Sequence, residues 1–248
     1  KTNGPFAINE NRQLTIYLLL TRALYGCLKS ALQFWKHLSG HLKARGYVMN
    51  PYDSCVANKT INDHQFTVVW HVDDLKLSHV DEHEVDNEVK WLETIYGPLV
   101  GSKGNQHTYL GMDLDFSNKN LTVTMVLYLQ ELLDEFPDEI GFPATTPAAA
   151  HLFDESEDPV LLDGDKVKLF HHVVAKTLWA GLRAWPDLLT TLSYLTCKVK
   201  APDVDDYKKL VRMLSYIKGT INLSLRLSVD GSQVVKWWVD ASYATRKN

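Results

Sequence analysis

Phe66-Thr67-Val68-Val69-Trp70-His71-Val72-Asp73-Asp74-Leu75-Lys76-Leu77-Ser78-His79-Val80 is the stretch on which the fold turns. Two apolar runs flank an adjacent pair of carboxylates. The first run is β-branched and aromatic, which suits an extended, half-buried strand. The second alternates, with Leu75, Leu77 and His79 on one face and Lys76, Ser78 and Val80 on the other. The simplest arrangement is a β-hairpin with Asp73 and Asp74 at its tight turn. Two carboxylates at such a tip repel each other, and a divalent cation would remove that repulsion.

Asp is also a common turn residue because its side chain bonds nearby backbone. The chain carries its own control for this reading. Val204-Asp205-Asp206 repeats the tripeptide at an expected helix start, where acids suit the helix dipole.

The chain has 248 residues, 45% hydrophobic and 23% charged, so it can bury a core as one large domain or two small ones. No apolar run approaches the length of a membrane span. Lys1-Thr2-Asn3-Gly4-Pro5 has neither an initiator Met nor a signal-peptide apolar region, and the sequence reads as an excerpt. Cys27, Cys55 and Cys197 are isolated and fit reduced, intracellular thiols rather than a disulfide framework or a zinc site. A net charge of −4 does not favour nucleic-acid binding in bulk, although local basic patches can still serve it.

Working outward, residues 1–12 are polar and turn-rich, and Gln13 to Leu20 alternates as a strand. Lys29 to Arg45 is an expected helix with an apolar stripe at Leu32, Trp35, Leu38 and Leu42, stopped by Gly46. Tyr52 to Val56 and Gln65 to Trp70 are expected strands around a polar loop, Asn58 to His64. Glu82 to Tyr96 is a helix ended by Gly97-Pro98. Tyr109 to Phe116 and Leu121 to Met125 are expected to form a second hairpin, followed by a helix from Tyr128 to Glu135. Residues 136–164 lack periodicity and suggest a linker or irregular excursion between lobes. Helices are expected over Lys166–Leu182, from Trp185 or Pro186 to Thr196, and over Pro202–Lys218, the last with acids in its first turn and Gly219 beyond its end. Leu223–Val229 and Gln233–Val239 form an expected hairpin about Asp230-Gly231.

Six short motifs then occur in order: Leu24-Tyr25-Gly26, Val72-Asp73-Asp74, Tyr109-Leu110-Gly111-Met112, Trp185-Pro186-Asp187, Tyr216-Ile217-Lys218-Gly219-Thr220 and Asp240-Ala241-Ser242. In this order they resemble the reverse transcriptase of copia-type LTR retrotransposons over nearly the whole chain. The resemblance implies an α+β right-hand polymerase: fingers and palm over 1–135, the excursion over 136–164, a helical thumb over 165–222, and the start of a ribonuclease H domain over 223–248. It implies addition of deoxynucleoside triphosphates to the primer of an RNA or DNA template duplex, within a longer Pol polyprotein. It also implies two Mg²⁺ ions, or Mn²⁺, held by Asp73 and Asp74, and a cytoplasmic virus-like particle or the nucleus as the setting.

By the same resemblance His71 stands beside the primer terminus, where the family carries Tyr. Lys29 stands in the helix flooring the nucleotide pocket, where the family carries Gln. Tyr109, Gly111 and Met112 contact primer or substrate, Trp185 replaces an Arg, and Asp240 matches the first acid of ribonuclease H without its partners. The family's third carboxylate has no visible counterpart: Glu10 is the one acid ahead of Leu24-Tyr25-Gly26. The alternative is therefore a non-catalytic retroelement remnant that at most binds nucleic acid weakly, and the 248-residue chain alone is expected to give no primer extension. Lys208, Lys209 and Arg212, with Lys198, Lys200 and Lys218, suit either a grip on a duplex backbone or a solvated helix face. His64, His71, His79 and His83 fit no zinc spacing. Gly101-Ser102-Lys103-Gly104 reads as a turn rather than a phosphate loop. Trp237 and Trp238 read as core and strand residues.

Overall fold

Residues 6–10, 13–17, 23–24, 26–117, 120–232 and 234 are described by a computed structural model, in which the chain divides into two units, Lys1–Val100 and Gly101–Asn248. Both mix helix and sheet.

In the first unit β1 (Phe6–Glu10) and β2 (Gln13–Tyr17) pair antiparallel, Glu10 opposite Gln13. A strand thus lies where the composition of residues 1–12 suggests only turns; the short alternation Phe6-Ala7-Ile8-Asn9 is enough to pair. Helix α1 (Leu28–Ala44) ends at Arg45, followed by Gly46 at φ 92°. Leu38 and Leu42 are fully buried, but Leu32 is 51% exposed and Phe34 takes its place against the core. Six residues turn a helix by about 600°, so Leu32 stands roughly 120° off the Leu38 face, whereas Phe34 lies one turn before it.

A four-stranded antiparallel sheet follows, in the order β3 (Val48–Met49), β4 (Val56–Ile61), β5 (His64–His71), β6 (Asp74–Ser78). Phe66, Val68 and Trp70 are buried from β5, in one cluster with Leu38, Leu42 and Leu92 of α2 (Glu82–Tyr96). Leu75 and Leu77 join them from β6. Alternation sends the intervening residues to the other face. There Thr67 donates to Asn58 at 2.9 Å and Lys76 donates to Ser78 at 2.7 Å.

The expected strand and loop before β5 exchange places. Residues 50–55 are mostly turn, because the Asn50 and Asp53 carboxamide and carboxylate accept from the amides of Tyr52 and Cys55. The polar run 58–61 is strand, and the loop shrinks to Asn62-Asp63, both at positive φ (50° and 62°), as a tight hairpin turn requires. The polar residues Asn58 and Thr60 belong to the uncovered face, which hid the strand from a search for apolar alternation.

In the second unit β7 (Gln106–Tyr109), β8 (Met112–Asp115), β9 (Leu121–Thr124) and β10 (Leu225–Leu227) form a second antiparallel sheet in that order. The stretch expected as one strand from Tyr109 to Phe116 is broken by a turn at Leu110-Gly111, with φ 54° and 78°. Leu225–Leu227 pairs with Leu121–Val123 of β9; Gln233 and residues 235–248, with the expected hairpin partner strand, Trp237, Trp238 and Asp240, lie outside the described residues.

The helices are α3 (Val126–Glu135), α4 (Gly164–Gly181), a 3-10 turn (Pro186–Leu188), α5 (Leu189–Lys198) and α6 (Val204–Thr220). They share one core with β8 and β9, including Leu114, Val123, Leu129, Phe170, Leu192, Leu210 and Leu214. Residues 136–162 are not a spacer between lobes: Leu152 is buried and Ile140, Ala144 and Leu162 pack on that same core. Helix α6 also runs through Gly219 instead of stopping before it. A Cβ at Gly219 would come within 2.6 Å of the Pro143 Cβ, so this glycine permits close approach of the excursion.

Candidate active site

The β5–β6 hairpin pairs His71 with Asp74, leaving Val72 and Asp73 as its two-residue turn. Asp73 therefore occupies the turn, while Asp74 opens β6, so the turn lies one place earlier than the expected Asp73-Asp74. His71, Val72, Asp73 and Asp74 are all exposed. Val72 has φ 54°. A hairpin turn with positive φ at its first central residue asks for Gly, and a β-branched side chain there is strained. Such strain costs on the order of 1–3 kcal/mol. Buried Trp70 and partly buried Leu75 just behind the turn fix its register.

Register puts His71, Asp74, Lys76, Ser78 and Thr67 on the uncovered face of the sheet. Half-buried Lys76, like Thr67 and Ser78, was not singled out by residue type alone; burial holds its ammonium below the usual lysine range. The alternation Leu75-Lys76-Leu77-Ser78 carried that signal. Asp73 and Asp74 supply hard oxygen donors of the kind that magnesium takes together with water. No group of three or more His, Cys, Asp or Glu side chains that could hold a metal occurs among the described residues.

Lys29 is exposed in the first turn of α1. Tyr109 and Met112 are the cross-strand pair that closes the β7–β8 turn, and Gly111 is its second central residue. That turn is tied to α4, since Trp179 Nε1 donates to the Leu110 carbonyl at 3.3 Å. These residues belong to the second unit and the acidic hairpin to the first. His79 accepts from the Asp81 amide and stacks on Phe66, so it serves the hairpin's packing. Gly104 and Ser102 are held by His107, which braces 101–104 as an irregular loop.

The second Val-Asp-Asp is built otherwise. Asp203 caps α6 by accepting from the Asp206 amide at 2.8 Å, and the Asp206 carboxylate accepts in return from the Asp203 amide at 3.2 Å. Asp206 is 3% exposed and also accepts from the Tyr194 hydroxyl at 3.1 Å. Burial pushes its carboxyl above the usual range. Lys209 is 8% exposed; it donates to the Asp154 carbonyl at 2.7 Å and to Tyr194, and pairs with Asp205 at 2.9 Å. Its ammonium is thus committed to fastening the excursion, against the expectation of a backbone contact. Arg212 donates to Thr146, Lys198 pairs with Glu155 and Lys218 donates to the Ile140 carbonyl, while Lys208 is exposed. Lys209, Arg212 and Lys218 of α6, with Lys198 of α5, thus hold 140–155 in place, a role that neither a duplex grip nor a solvated face anticipates.

Two of the sequence motifs meet here. The Tyr216 hydroxyl donates to Asp187 at 2.5 Å, and Trp185 lies edge-on to Tyr216. Trp185 is 1% exposed, which accounts for an aromatic residue at that place.

No protein-family model matches the chain, and no solved structure matches it. A retrovirus-related Pol polyprotein from transposon TNT 1-94 of Nicotiana tabacum is 21% identical over 237 residues, covering 91% of this chain and 17% of that polyprotein. The chain thus spans about a sixth of that relative's length. The likeness supports a retroelement polyprotein origin. No helix of the described residues is long and apolar enough to cross a membrane.

Proposed function

We propose that this chain is the polymerase segment of a copia-type retroelement Pol polyprotein, an RNA-directed DNA polymerase of right-hand fold whose reacting centre lies at Asp73 and Asp74. The observation that carries the reading is the hairpin tip: two exposed carboxylates on a rigidly registered turn, with strain held at Val72. Strained turns persist where surrounding structure over-determines them, and such turns cluster at functional sites. The order of the six motifs and the likeness to a retrotransposon Pol polyprotein support the same reading.

Asp73 and Asp74 would hold divalent magnesium or manganese, which supplies activation of an attacking hydroxyl and neutralisation of a leaving pyrophosphate. The chain's own residues do the rest. The uncovered sheet face beside the turn, with His71 and Lys76, offers polar side chains to a primer strand. Trp70, Leu75 and Leu77 on the covered face keep the turn from shifting register.

A non-catalytic retroelement product is the second reading, favoured by one observation: among the described residues no third metal-binding side chain gathers with the two acids. Primer extension on an RNA template, with magnesium or manganese, separates the two. It uses the open reading frame containing these residues and its Asp73→Asn variant. Asp73-dependent incorporation of deoxynucleotides is expected. Incorporation unchanged by the substitution, or none from the intact frame, overturns the polymerase reading.

A further inference from the structure

Away from the acidic hairpin, His37 and His41 stand one turn apart on α1, with their Nε2 atoms 3.3 Å from each other. His37 Nδ1 lies 2.9 Å from the Tyr96 hydroxyl at the end of α2, and the two rings meet edge to face. The Phe34 ring also packs on Tyr96, with centroids 5.7 Å apart. Both imidazoles are reached by solvent.

We propose that His37 and His41 form a chelating site for a divalent cation of borderline softness, Zn²⁺ foremost, completed by water. Residues four apart share a helix face, so α1 presents the pair without any loop to order. Zinc–imidazole bonds are about 2.0–2.1 Å, and two of them at a tetrahedral angle set their nitrogens about 3.3 Å apart. That is the separation found. Tyr96 completes the logic. A ligating histidine holds its other ring nitrogen's proton on an acceptor, which fixes the tautomer and aims the ring. With the proton on His37 Nδ1 donated to the Tyr96 oxygen, Nε2 carries a bare lone pair. On binding, both rings ligate as neutral imidazoles. The proton shared between the two Nε2 atoms moves to Nδ1 of its own ring, and two metal–nitrogen bonds replace that hydrogen bond.

Of the other described histidines, His79 and His107 are engaged with local backbone and side chains, and His171 and His172 are adjacent, so they point to different sides of α4. The site does not rest on the polymerase reading, because it shares no residue with the hairpin.

The test is calorimetric titration of the 248-residue chain with Zn²⁺, together with nitrogen-15 spectra of its imidazoles. A saturable site is expected beyond any at the carboxylate hairpin, with zinc shifting the Nε2 resonances of His37 and His41. His37→Ala and His41→Ala should each lower the affinity tenfold or more, and Tyr96→Phe about tenfold. His64→Ala and His83→Ala should leave it unchanged. The imidazole spectra of the unaltered chain report the site even if a variant folds poorly. Zinc affinity that survives His37→Ala/His41→Ala, resonance shifts at other histidines instead, or no saturable binding overturns the proposal.

Discussion

The same tripeptide, Val-Asp-Asp, occurs at 72–74 and at 204–206, and the two copies share almost nothing beyond their letters. At 204–206 the acids are consumed by structure. Asp206 closes a capping box and receives the Tyr194 hydroxyl, and Asp205 pairs with buried Lys209. At 72–74 the acids are left in solvent on a strained turn. The carboxylates that stabilise the helix start are surrounded by donors; those proposed to hold a ligand are exposed, on a turn whose register is fixed by packing behind it. Composition cannot tell these apart. Flanking periodicity can: apolar alternation on both sides marks a hairpin, whereas Asp203 followed by Asp206 marks a helix start.

The largest expected difference between the copies is in stability. Asp206→Ala removes the reciprocal hydrogen bond of the capping box, worth about 0.5–1.5 kcal/mol. It also strips a buried hydroxyl of its acceptor, about 1–3 kcal/mol. Urea denaturation should therefore show a loss of about 2–4 kcal/mol, while Asp73→Ala and Asp74→Ala stay within about 0.5 kcal/mol, as exposed substitutions do. Equal losses at the two places would break the comparison. Val72→Gly comes next and has the opposite sign: relief of strain, less the entropy of a glycine, should raise stability by about 1 kcal/mol in the same assay. A loss there would mean that Val72 is comfortable and that the turn stores nothing. Asp205→Ala should cost roughly 0.5–1 kcal/mol, since the acid is half exposed but its partner Lys209 is buried.

A smaller effect appears at high pH in the same helical body. The Asp187 carboxylate accepting from Tyr216, together with burial, pushes the tyrosine up to about 12 from 10. Because the folded value is the higher one, this contribution is full below pH 10 and is lost as pH rises from 10 through 12. The urea midpoint should fall over that window more steeply in the natural chain than in Tyr216→Phe. Parallel decline in both would remove the link between the Trp185-Pro186-Asp187 and Tyr216-Ile217-Lys218 motifs.

The hairpin and most helices were legible because a buried face leaves a period of two or of 3.6 in the sequence. β4 was not, since its exposed face carries Asn58 and Thr60 and its alternation is polar. The Leu110-Gly111 turn hid inside an apolar run, where only the glycine hinted at a break. Gly219 looked like a helix stop because the sequence does not show Pro143 lying against it. The basic residues of α6 looked free because their partners, Asp154, Thr146 and Ile140, lie more than fifty residues away in the chain. Spacing reveals local partners, not distant ones. For the candidate site, the acids were legible in the sequence, whereas the strain at Val72 needed the backbone.

The most direct test of the contrast between the two Val-Asp-Asp copies is Mn²⁺ titration of the 248-residue chain, followed by paramagnetic broadening of amide resonances. Manganese prefers carboxylate oxygen and stands in for magnesium. The account predicts that amides from His71 to Lys76 broaden first, that Asp73→Asn abolishes this, and that Val204 to Asp206 are unaffected at the same concentration. Broadening that survives Asp73→Asn, or that appears equally at Asp205 and Asp206, would contradict it.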